Sequence, residues 1–350
     1  MAVGLDIGSS AVRVAEVQTR RGHRVRLTRY GQVPLPPGAV VDGDVMEPAV
    51  VADGLRQLWS ATGLRPRNVA VGLASQKVTV RQIELPQLPE AEIAEAVRLQ
   101  AQDQLPIAAE QAVLDYVMMV DPPAGNEQRN LRLLLVAAER EMVERLLAAV
   151  TAARLRPVLV DLDAFALLRS VGSSTVGSEG AELIVDVGAN VTKIAVHQGG
   201  RPLFVRMVRL GGDAVTRQLQ KALDLSWEEA EGAKLDASDA MAAGSDLDPE
   251  DERPRVLEEG VQRVVTEVRH SLEFFRSQHE VQVERLILSG GGSLAPNLRQ
   301  QLHGDLELPV DQADPLRAMD PMEQSGTPVV PPGEIPFLAV PVGLALGLLR

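Results

Sequence analysis

The chain has 350 residues, of which 45% are hydrophobic and 24% are charged, so it is long enough to bury the cores of two folded domains. Its formal net charge of -13 argues against a nucleic-acid partner, because no local basic stripe offsets the repulsion of a phosphate backbone. The absence of cysteine excludes disulfides, thiolate metal sites and thiol nucleophiles.

The N-terminal segment predicts a three-stranded antiparallel meander. Gly4 to Val17 has the pattern of two strands joined by a tight turn, and the alternating stretch from Val25 to Val33 follows the turn signal Arg20-Arg21-Gly22. Apolar residues at helical spacing between Ala49 and Thr62 then predict a helix, and Asn68 to Leu73 predicts a fourth strand. The first unit is therefore β-β-β-α-β.

The next block, from Lys77 to Pro157, is about 80 residues long, which exceeds the length of an ordinary connection. Alternating and helical patterns predict strand, helix, strand, strand and helix in turn over 77–85, 89–105, 114–120, 131–137 and 139–155. We interpret this block as an inserted α+β subdomain.

Beyond the insertion, the patterns predict a buried strand at Val158 to Asp161, a helix from Ala164 to Ser170 and a hinge over 171–180. The second half then repeats the meander, with its third strand from Pro202 to Leu210. Further along the chain, the sequence predicts a helix that starts with a capping box at Ser226, an acidic loop over 236–254, a helix over 255–280, a strand over 285–288 and a buried helix within 335–349. The last apolar stretch is too short to span a membrane, which takes ~20 residues.

The most specific signal is a motif that occurs twice. Asp6-Ile7-Gly8-Ser9-Ser10 begins the first copy, and Asp186-Val187-Gly188-Ala189-Asn190 begins the second copy, 180 residues further on. Glycine allows close approach to an anion, serine hydroxyls can donate to phosphate oxygens, and aspartate can hold a hydrated cation. A single copy would more often be an ordinary hairpin turn. Two copies with matching flanks favour a cleft that grips a triphosphate and its Mg²⁺ from both sides.

Two glycine clusters leave alternatives open. Ser289-Gly290-Gly291-Gly292-Ser293 lies between a strand and a helix-compatible segment, where it can face a ligand or simply form a tight corner. Gly211-Gly212-Asp213 can contact phosphate, or Asp213 can cap a helix that begins near Ala214. The five histidines show no metal-ligand spacing.

With these motifs the chain resembles the actin-like ATPase superfamily and, within it, the PilM family of type IV pilus assembly proteins. The resemblance covers essentially the whole length, with the phosphate, connecting and adenosine motifs at 4–17, 158–170, 184–196, 286–298 and 336–349. It implies an α/β, actin-like ATPase (ribonuclease H-like) fold with two related domains around a nucleotide cleft. The domains would be 1–170, with the inserted α+β subdomain at 77–157, and 181–330, with a variable subdomain at about 213–283. A C-terminal helix over 335–350 would return to the first domain.

The resemblance also implies ATP and Mg²⁺ as cofactors and a set of binding residues. Those residues are Asp6, Gly8, Ser9, Ser10, Asp186, Gly188, Asn190, Gly212, Asp213, Glu231, Lys234, Gly290, Gly291, Gly292 and Ser293, with Asp6 and Asp186 holding Mg²⁺ through water. Where related hydrolases place Gln or Glu to orient the attacking water, this chain has Asp161, one methylene shorter than Glu, so Asp161 is the catalytic candidate and hydrolysis should be slow or absent. Arg13 and Lys193 are left out of the site, because a solvated strand face explains them equally well.

In function, the resemblance implies an ATP-binding scaffold that binds the cytoplasmic N-terminal peptide of the membrane protein PilN and connects the assembly platform to the pilus motor ATPases. No signal-peptide pattern opens the chain, so a cytoplasmic location is expected, with membrane association only through partners. The chain ends directly after the last motif, whereas FtsA continues into a membrane-targeting helix, and this favours PilM. The alternatives are an FtsA-like filament-forming protein of cell division and a sugar-kinase-like phosphotransferase, for which Asp161 is the one candidate acid.

Overall fold

A computed structural model of the chain describes residues 1–19, 25–119, 130–172, 180–244, 248, 250–317, 319 and 328–349. Within them, the strands are β1 Ala2–Ile7, β2 Ala11–Thr19, β3 Val25–Pro34, β4 Val40–Val41, β5 Asp44–Val45, β6 Asn68–Leu73, β7 Val78–Leu85, β8 Ala112–Met118, β9 Leu131–Glu139, β10 Arg156–Leu162, β11 Ala181–Val187, β12 Thr192–Gln198, β13 Arg201–Val208, β14 Val283–Ser289 and β15 Val310–Gln312. The α-helices are α1 Pro48–Thr62, α2 Glu90–Gln104, α3 Arg140–Ala152, α4 Asp163–Val171, α5 Gly212–Leu223, α6 Trp227–Ala242, α7 Glu252–Gln278, α8 Leu298–Leu306 and α9 Ala339–Gly347.

Two five-stranded sheets repeat one topology. The strand order is β10-β6-β1-β2-β3 in the first sheet and β15-β14-β11-β12-β13 in the second. In each, three consecutive strands form an antiparallel meander, a later strand pairs in parallel with its first strand, and a further strand pairs in parallel with that one. Both predicted meanders are confirmed, and the duplication seen in the motifs extends to whole sheets.

The block after β6 forms a separate three-stranded antiparallel sheet, β7-β9-β8, with α2 on one face. Its central strand, β9, is buried on both faces. Leu133 and Leu135 pack into the core of this small sheet, whereas Leu134 and Val136 pack into the main core with α3. Burial on both faces explains why β9 reads as a continuous apolar run.

The acidic stretch over 236–254, which its charge predicts to be a loop, is helical over 236–242 and 252–254. Helix α6 continues to Ala242, because its small residues Ala230 and Ala237 are buried. Helix α7 begins at Glu252 rather than 255, since Asp251 caps it by accepting from the amide of Arg253 at 2.9 Å, and a proline in the first turn is tolerated. The capping box at Ser226 is confirmed. The predicted hinge falls largely on 173–179, and the turn at Arg20 to Gly22 wholly on 20–24, outside the described residues.

Helix α9 lies against the first sheet and α4, and seven consecutive residues from Ala339 to Ala345 are buried there. This close contact depends on Gly4 of β1, because a Cβ atom at Gly4 would lie 2.0 Å from the carbonyl oxygen of Pro341. Across the described ranges, no helix is both long and apolar enough to cross a membrane.

We expect Gly4→Ala to lower the free energy of unfolding by about 1–3 kcal/mol, because the added methyl group must push α9 away from β1. Urea unfolding measures the change. Gly304→Ala is the matched control: Gly304 lies in α8 with open space around its Cβ position, so this variant should gain ~0.5–1 kcal/mol from helix propensity. Equal stability of Gly4→Ala and the wild type would contradict the close packing of α9.

Candidate functional site

The two Asp-x-Gly motifs form equivalent hairpin turns. The amide of Gly8 donates to the carbonyl of Ala11 at 3.0 Å, and the amide of Gly188 donates to the carbonyl of Val191 at 3.2 Å. In both hairpins the acid lies directly across from the basic residue, Asp6 from Arg13 and Asp186 from Lys193. The sequence repeat is therefore a repeat of acid-base pairs at the carboxyl ends of β1 and β11.

A cleft lies between these turns, with about 310 Å³ of empty volume that is partly open to solvent. Its walls are Asp6, Ile7, Gly8, Ser9, Gly43, Ala74, Asp163, Val191 and Lys193. Of the predicted binding residues, Asp6, Gly8 and Ser9 lie on the wall. Ser10 is exposed beside the turn, where its carbonyl accepts from the amide of Leu35 at 2.9 Å.

Three buried carboxylates surround one ammonium at the base of the cleft. Asp6, Asp163 and Asp186 are 8%, 3% and 3% exposed. The Nζ atom of Lys193 lies 2.7 Å from Oδ2 of Asp186 and 3.3 Å from Oδ2 of Asp163. Since Lys193 is on β12 and Asp163 begins α4, this ion pair joins the two halves of the chain.

The charges at the base of the cleft perturb one another. Burial raises the pKa of Asp163 to about 7, Lys193 opposes the rise, and the neighbouring charges of Asp6 and Asp186 add to it. Burial alone would lower the pKa of Lys193, but the charges of Asp186, Asp163 and Asp6 outweigh this and raise it. The ammonium therefore stays protonated, and Asp163 is the carboxyl group that titrates near neutral pH.

Asp161 is not the acid of the cleft. Its carboxylate pairs with Arg169, whose Nε donates to the carbonyl of Gly343 at 3.0 Å, so Asp161 connects β10 to α4 and α9. Burial raises its pKa, and Arg169 opposes that rise. The carboxylate that reaches the cleft is Asp163, two residues further on. One signal could have identified it: the residue directly after a parallel strand lies at the sheet edge where ligands bind.

Asn190 and Asp213 form a second cluster beside the cleft. The side-chain amide of Asn190 donates to the carboxylate of Asp213. The amides of Gly212 and Asp213 donate to the carbonyls of Gly188 and Ala189 at 3.1 and 2.9 Å. Asp213 therefore does not cap α5, which was one of the two alternatives: the helix begins at Gly212, and its first amides hold the second turn in place.

Glu231 and Lys234 lie together next to this cluster. Nζ of Lys234 donates to Oε2 of Glu231 at 2.6 Å and to the hydroxyl of Thr216 at 2.9 Å. A Cβ atom on Gly212 would lie 3.5 Å from the same ammonium. Burial raises the pKa of Asp213, and the positive charge of Lys234 opposes that rise. Glu231 and Lys234 therefore lie within electrostatic reach of Asp213.

The glycine turn after β14 packs against the second motif. Gly290 has a φ of 80°, and a Cβ atom there would lie 2.5 Å from the carbonyl oxygen of Val187 and 2.9 Å from Oδ1 of Asp186. Gly291 packs against Phe337, and Gly292 against Val187. The hydroxyl of Ser293 is buried in the turn, donating to the carbonyl of Gly290 at 2.6 Å. The backbone of this turn therefore lies close to Asp186. Close packing within the chain explains why glycine occupies positions 290, 291 and 292.

The hairpin β4–β5 lies beside the cleft, with Gly43 of its turn on the cleft wall. The amide of Asp42 donates to Oδ1 of Asn190 at 3.3 Å, and the carboxylate of Asp42 lies 2.8 Å from Nε of Arg209. Two residues on, buried Asp44 accepts from Lys77 at 2.9 Å and from Arg145 at 2.6 Å. Although burial would raise the pKa of Asp44, the hydrogen bonds from Arg145 and Lys77 lower it. The hairpin therefore connects the second turn to the inserted sheet and α3.

The predicted Mg²⁺ site does not fit this arrangement. Asp6 and Asp186 offer the oxygen ligands that Mg²⁺ prefers, but Arg13 lies 3.6 Å from Asp6 and Lys193 lies 2.7 Å from Asp186. Among the residues that the structure describes, no group of three or more His, Asp or Glu side chains is arranged to hold a metal ion. Both carboxylates already have cations supplied by the chain.

Comparison with known proteins gives the family. The sequence model of the family described as "Type IV pilus assembly protein PilM" matches residues 4–348, so the chain belongs to this family. Over its whole length the chain is similar to the solved structure of a PilM-PilN type IV pilus biogenesis complex, with a TM-score of 0.86 and 29% identity over 98% of that chain.

More distant relatives agree on the fold. The cell division protein FtsA of Streptococcus pneumoniae serotype 2 (strain D39 / NCTC 7466) is 24% identical over 256 residues, 68% of this chain and 56% of FtsA, so the match spans little more than half of that protein. The structure of MreB5 of Spiroplasma citri bound to ADP has a TM-score of 0.51 and 12% identity over 98% of this chain and 94% of that one. The predicted actin-like α/β fold is confirmed.

We expect Asp163→Asn to change how stability depends on pH. In the wild type the folded-state pKa lies at about 7 and the ordinary value is 3.8, so the contribution of Asp163 is fully present below the ordinary value and is lost as the pH rises through the folded one. Between about pH 6 and pH 8 the wild type should lose about 1 kcal/mol relative to Asp163→Asn. Urea unfolding at both pH values measures this.

The control for this experiment is Asp53→Asn, which removes an exposed carboxylate on α1 and should keep the pH dependence of the wild type. A pH dependence of Asp163→Asn parallel to that of the wild type would contradict the raised pKa.

Proposed function

We propose that this member of the PilM family is an ATP-binding scaffold of a type IV pilus assembly platform, which binds the cytoplasmic N-terminal segment of PilN and connects it to the pilus motor. The observation that carries the proposal is the full-length similarity to a PilM-PilN complex, combined with a cleft whose wall contains Gly8 and Ser9 of the first phosphate-type turn. The chain would work on the cytoplasmic side of the membrane, held there by its partners.

ATP would occupy the cleft with its phosphates at the first turn. Ser9 lies on the cleft wall, and Gly8 beside it has no side chain that would keep an anion away from the turn. The second turn is fixed to the start of α5, because its carbonyls accept from the amides of Gly212 and Asp213, which are then not free to bind phosphate. The nucleoside would lie toward Glu231 and Lys234, next to α5.

Hydrolysis would be slow at best. Asp163 is the acid on the cleft wall, but its Oδ2 already faces the ammonium of Lys193 at 3.3 Å, so this oxygen is engaged and poorly placed to orient an attacking water. Slow hydrolysis suits a scaffold, because the ATP-bound conformation of the protein then lasts long enough for a partner to bind it.

The hairpin β4–β5 offers a route from the cleft to the partner surface. ATP in the cleft would shift Asn190 of the second turn, which bonds to Asp42, while Asp44 of the same hairpin is anchored to the inserted sheet through Lys77. Only a difference in partner affinity between the two states can transmit a signal. The hairpin therefore supplies a physical connection between nucleotide and peptide.

We expect Ser9→Glu to weaken ATP binding at least tenfold, or about 1.4 kcal/mol, because the added carboxylate lies on the cleft wall and repels the triphosphate. Calorimetric titration with ATP in excess Mg²⁺ measures the affinity. The control, Ser60→Glu, adds the same charge on the exposed face of α1 and should bind like the wild type. Unchanged affinity of Ser9→Glu would place ATP elsewhere, and absence of binding by the wild type would reject the ATP-binding scaffold.

We expect Asp42→Asn to reduce the coupling between ATP and the partner. Asn tolerates the φ of 52° at this position but removes the charge that pairs with Arg209. Titration of a synthetic PilN N-terminal peptide, with and without ATP, should give an affinity ratio closer to one than in the wild type, whereas Asp53→Asn should retain the wild-type ratio. A wild-type peptide affinity that ATP does not alter would contradict the coupling.

A further inference from the structure

The acidic base of the cleft contains its own cations. Asp163 and Asp186 share the ammonium of Lys193, which is 9% exposed. Asp6 faces the guanidinium of Arg13, which is held from other sides by Gln32 at 3.3 Å and by the ring of Phe337, 5.1 Å from its centroid. Neither cation is a solvated strand-face residue.

The position of the Lys193 ammonium conflicts with a metal ion. A Mg²⁺ ion binds carboxylate oxygens at about 2.0–2.1 Å. On Oδ2 of Asp186 such an ion would share the oxygen with the ammonium, which lies 2.7 Å from it, so two cations would repel each other and compete for the charge of one carboxylate. To admit the ion, Lys193 would have to leave two buried carboxylates, and separating a buried ion pair is strongly unfavourable.

We propose that Lys193 replaces the divalent cation in this site: its ammonium neutralises Asp163 and Asp186, excludes Mg²⁺ from them and lets the cleft take ATP with little dependence on Mg²⁺. The nucleotide part of this inference rests on the proposed ATP binding. The exclusion of Mg²⁺ from the carboxylates does not, because it follows from the ion pairs of the chain alone.

The test compares the wild type, Lys193→Met and Lys221→Met. Lys221→Met removes the same charge from the exposed end of α5 and serves as the matched control. First, thermal unfolding of each protein without nucleotide is measured in EDTA and in millimolar MgCl₂. Mg²⁺ should leave the midpoints of the wild type and Lys221→Met unchanged and raise that of Lys193→Met by several degrees, because the freed carboxylates then bind the ion.

Second, ATP affinity is measured by calorimetry in EDTA and in Mg²⁺. For the wild type and Lys221→Met, we expect the two affinities to agree within about threefold, whereas Lys193→Met should bind at least about tenfold more weakly in EDTA than in Mg²⁺. If Lys193→Met does not fold, the paired titrations of the wild type decide the proposal.

A rise in the wild-type midpoint with Mg²⁺, or a wild-type ATP affinity that falls more than about tenfold in EDTA, would overturn the role of Lys193. A Lys193→Met variant that is indifferent to Mg²⁺ in both measurements would also overturn it. Failure of the wild type to bind ATP under any condition would instead reject the proposed function, while the nucleotide-free unfolding experiment would still decide whether Lys193 excludes Mg²⁺.

Discussion

The buried ion pair of Lys193 with Asp163 and Asp186 is the interaction on which the site depends. The actin-like duplication brings the ends of β1 and β11 and the start of α4 to one place, and an aspartate lies at each. Three buried carboxylates repel one another and resist ionisation unless a cation lies among them. Lys193 supplies that cation from the second half to an acid of the first half, so the same contact balances the charge and holds the halves together.

The two copies of the motif form the same hairpin turn but have different contacts with the rest of the chain. The first turn presents Ser9 to the cleft, whereas the carbonyls of the second turn are taken by the first amides of α5. One copy is thus open to a ligand, and the other is fixed to the helices that carry Glu231 and Lys234. The hairpin β4–β5 contacts both the second turn and the inserted block. Asp42 bonds to Asn190 of the second turn, and Asp44 is anchored through Lys77 beside the sheet β7-β9-β8. The cleft and the insertion are therefore parts of one connected structure.

Most elements could be predicted from the sequence, because a strand or an amphipathic helix expresses its periodicity locally. The helical start of the acidic stretch, at the end of α6, could not be, since its charge suggests a solvated loop whereas Ala237 is buried there in a helix. The site was predicted less completely. Asp161 and Asp163 are two residues apart and chemically identical, and only the packing of α4 against α9 determines that the first pairs with Arg169 and the second enters the cleft.

The sequence by itself determined the duplication, the meanders, the inserted block and the family, because each of these is expressed in the order and spacing of residues along the chain. The tertiary structure alone decided which side chains share the cleft. Arg13 and Lys193 occupy equivalent positions in the two hairpins, and no local pattern shows whether such a residue is solvated or is a counter-ion of buried carboxylates, as both are here. That distinction arises from the approach of one half to the other, which places Asp163 of the first half within 3.3 Å of a lysine of the second.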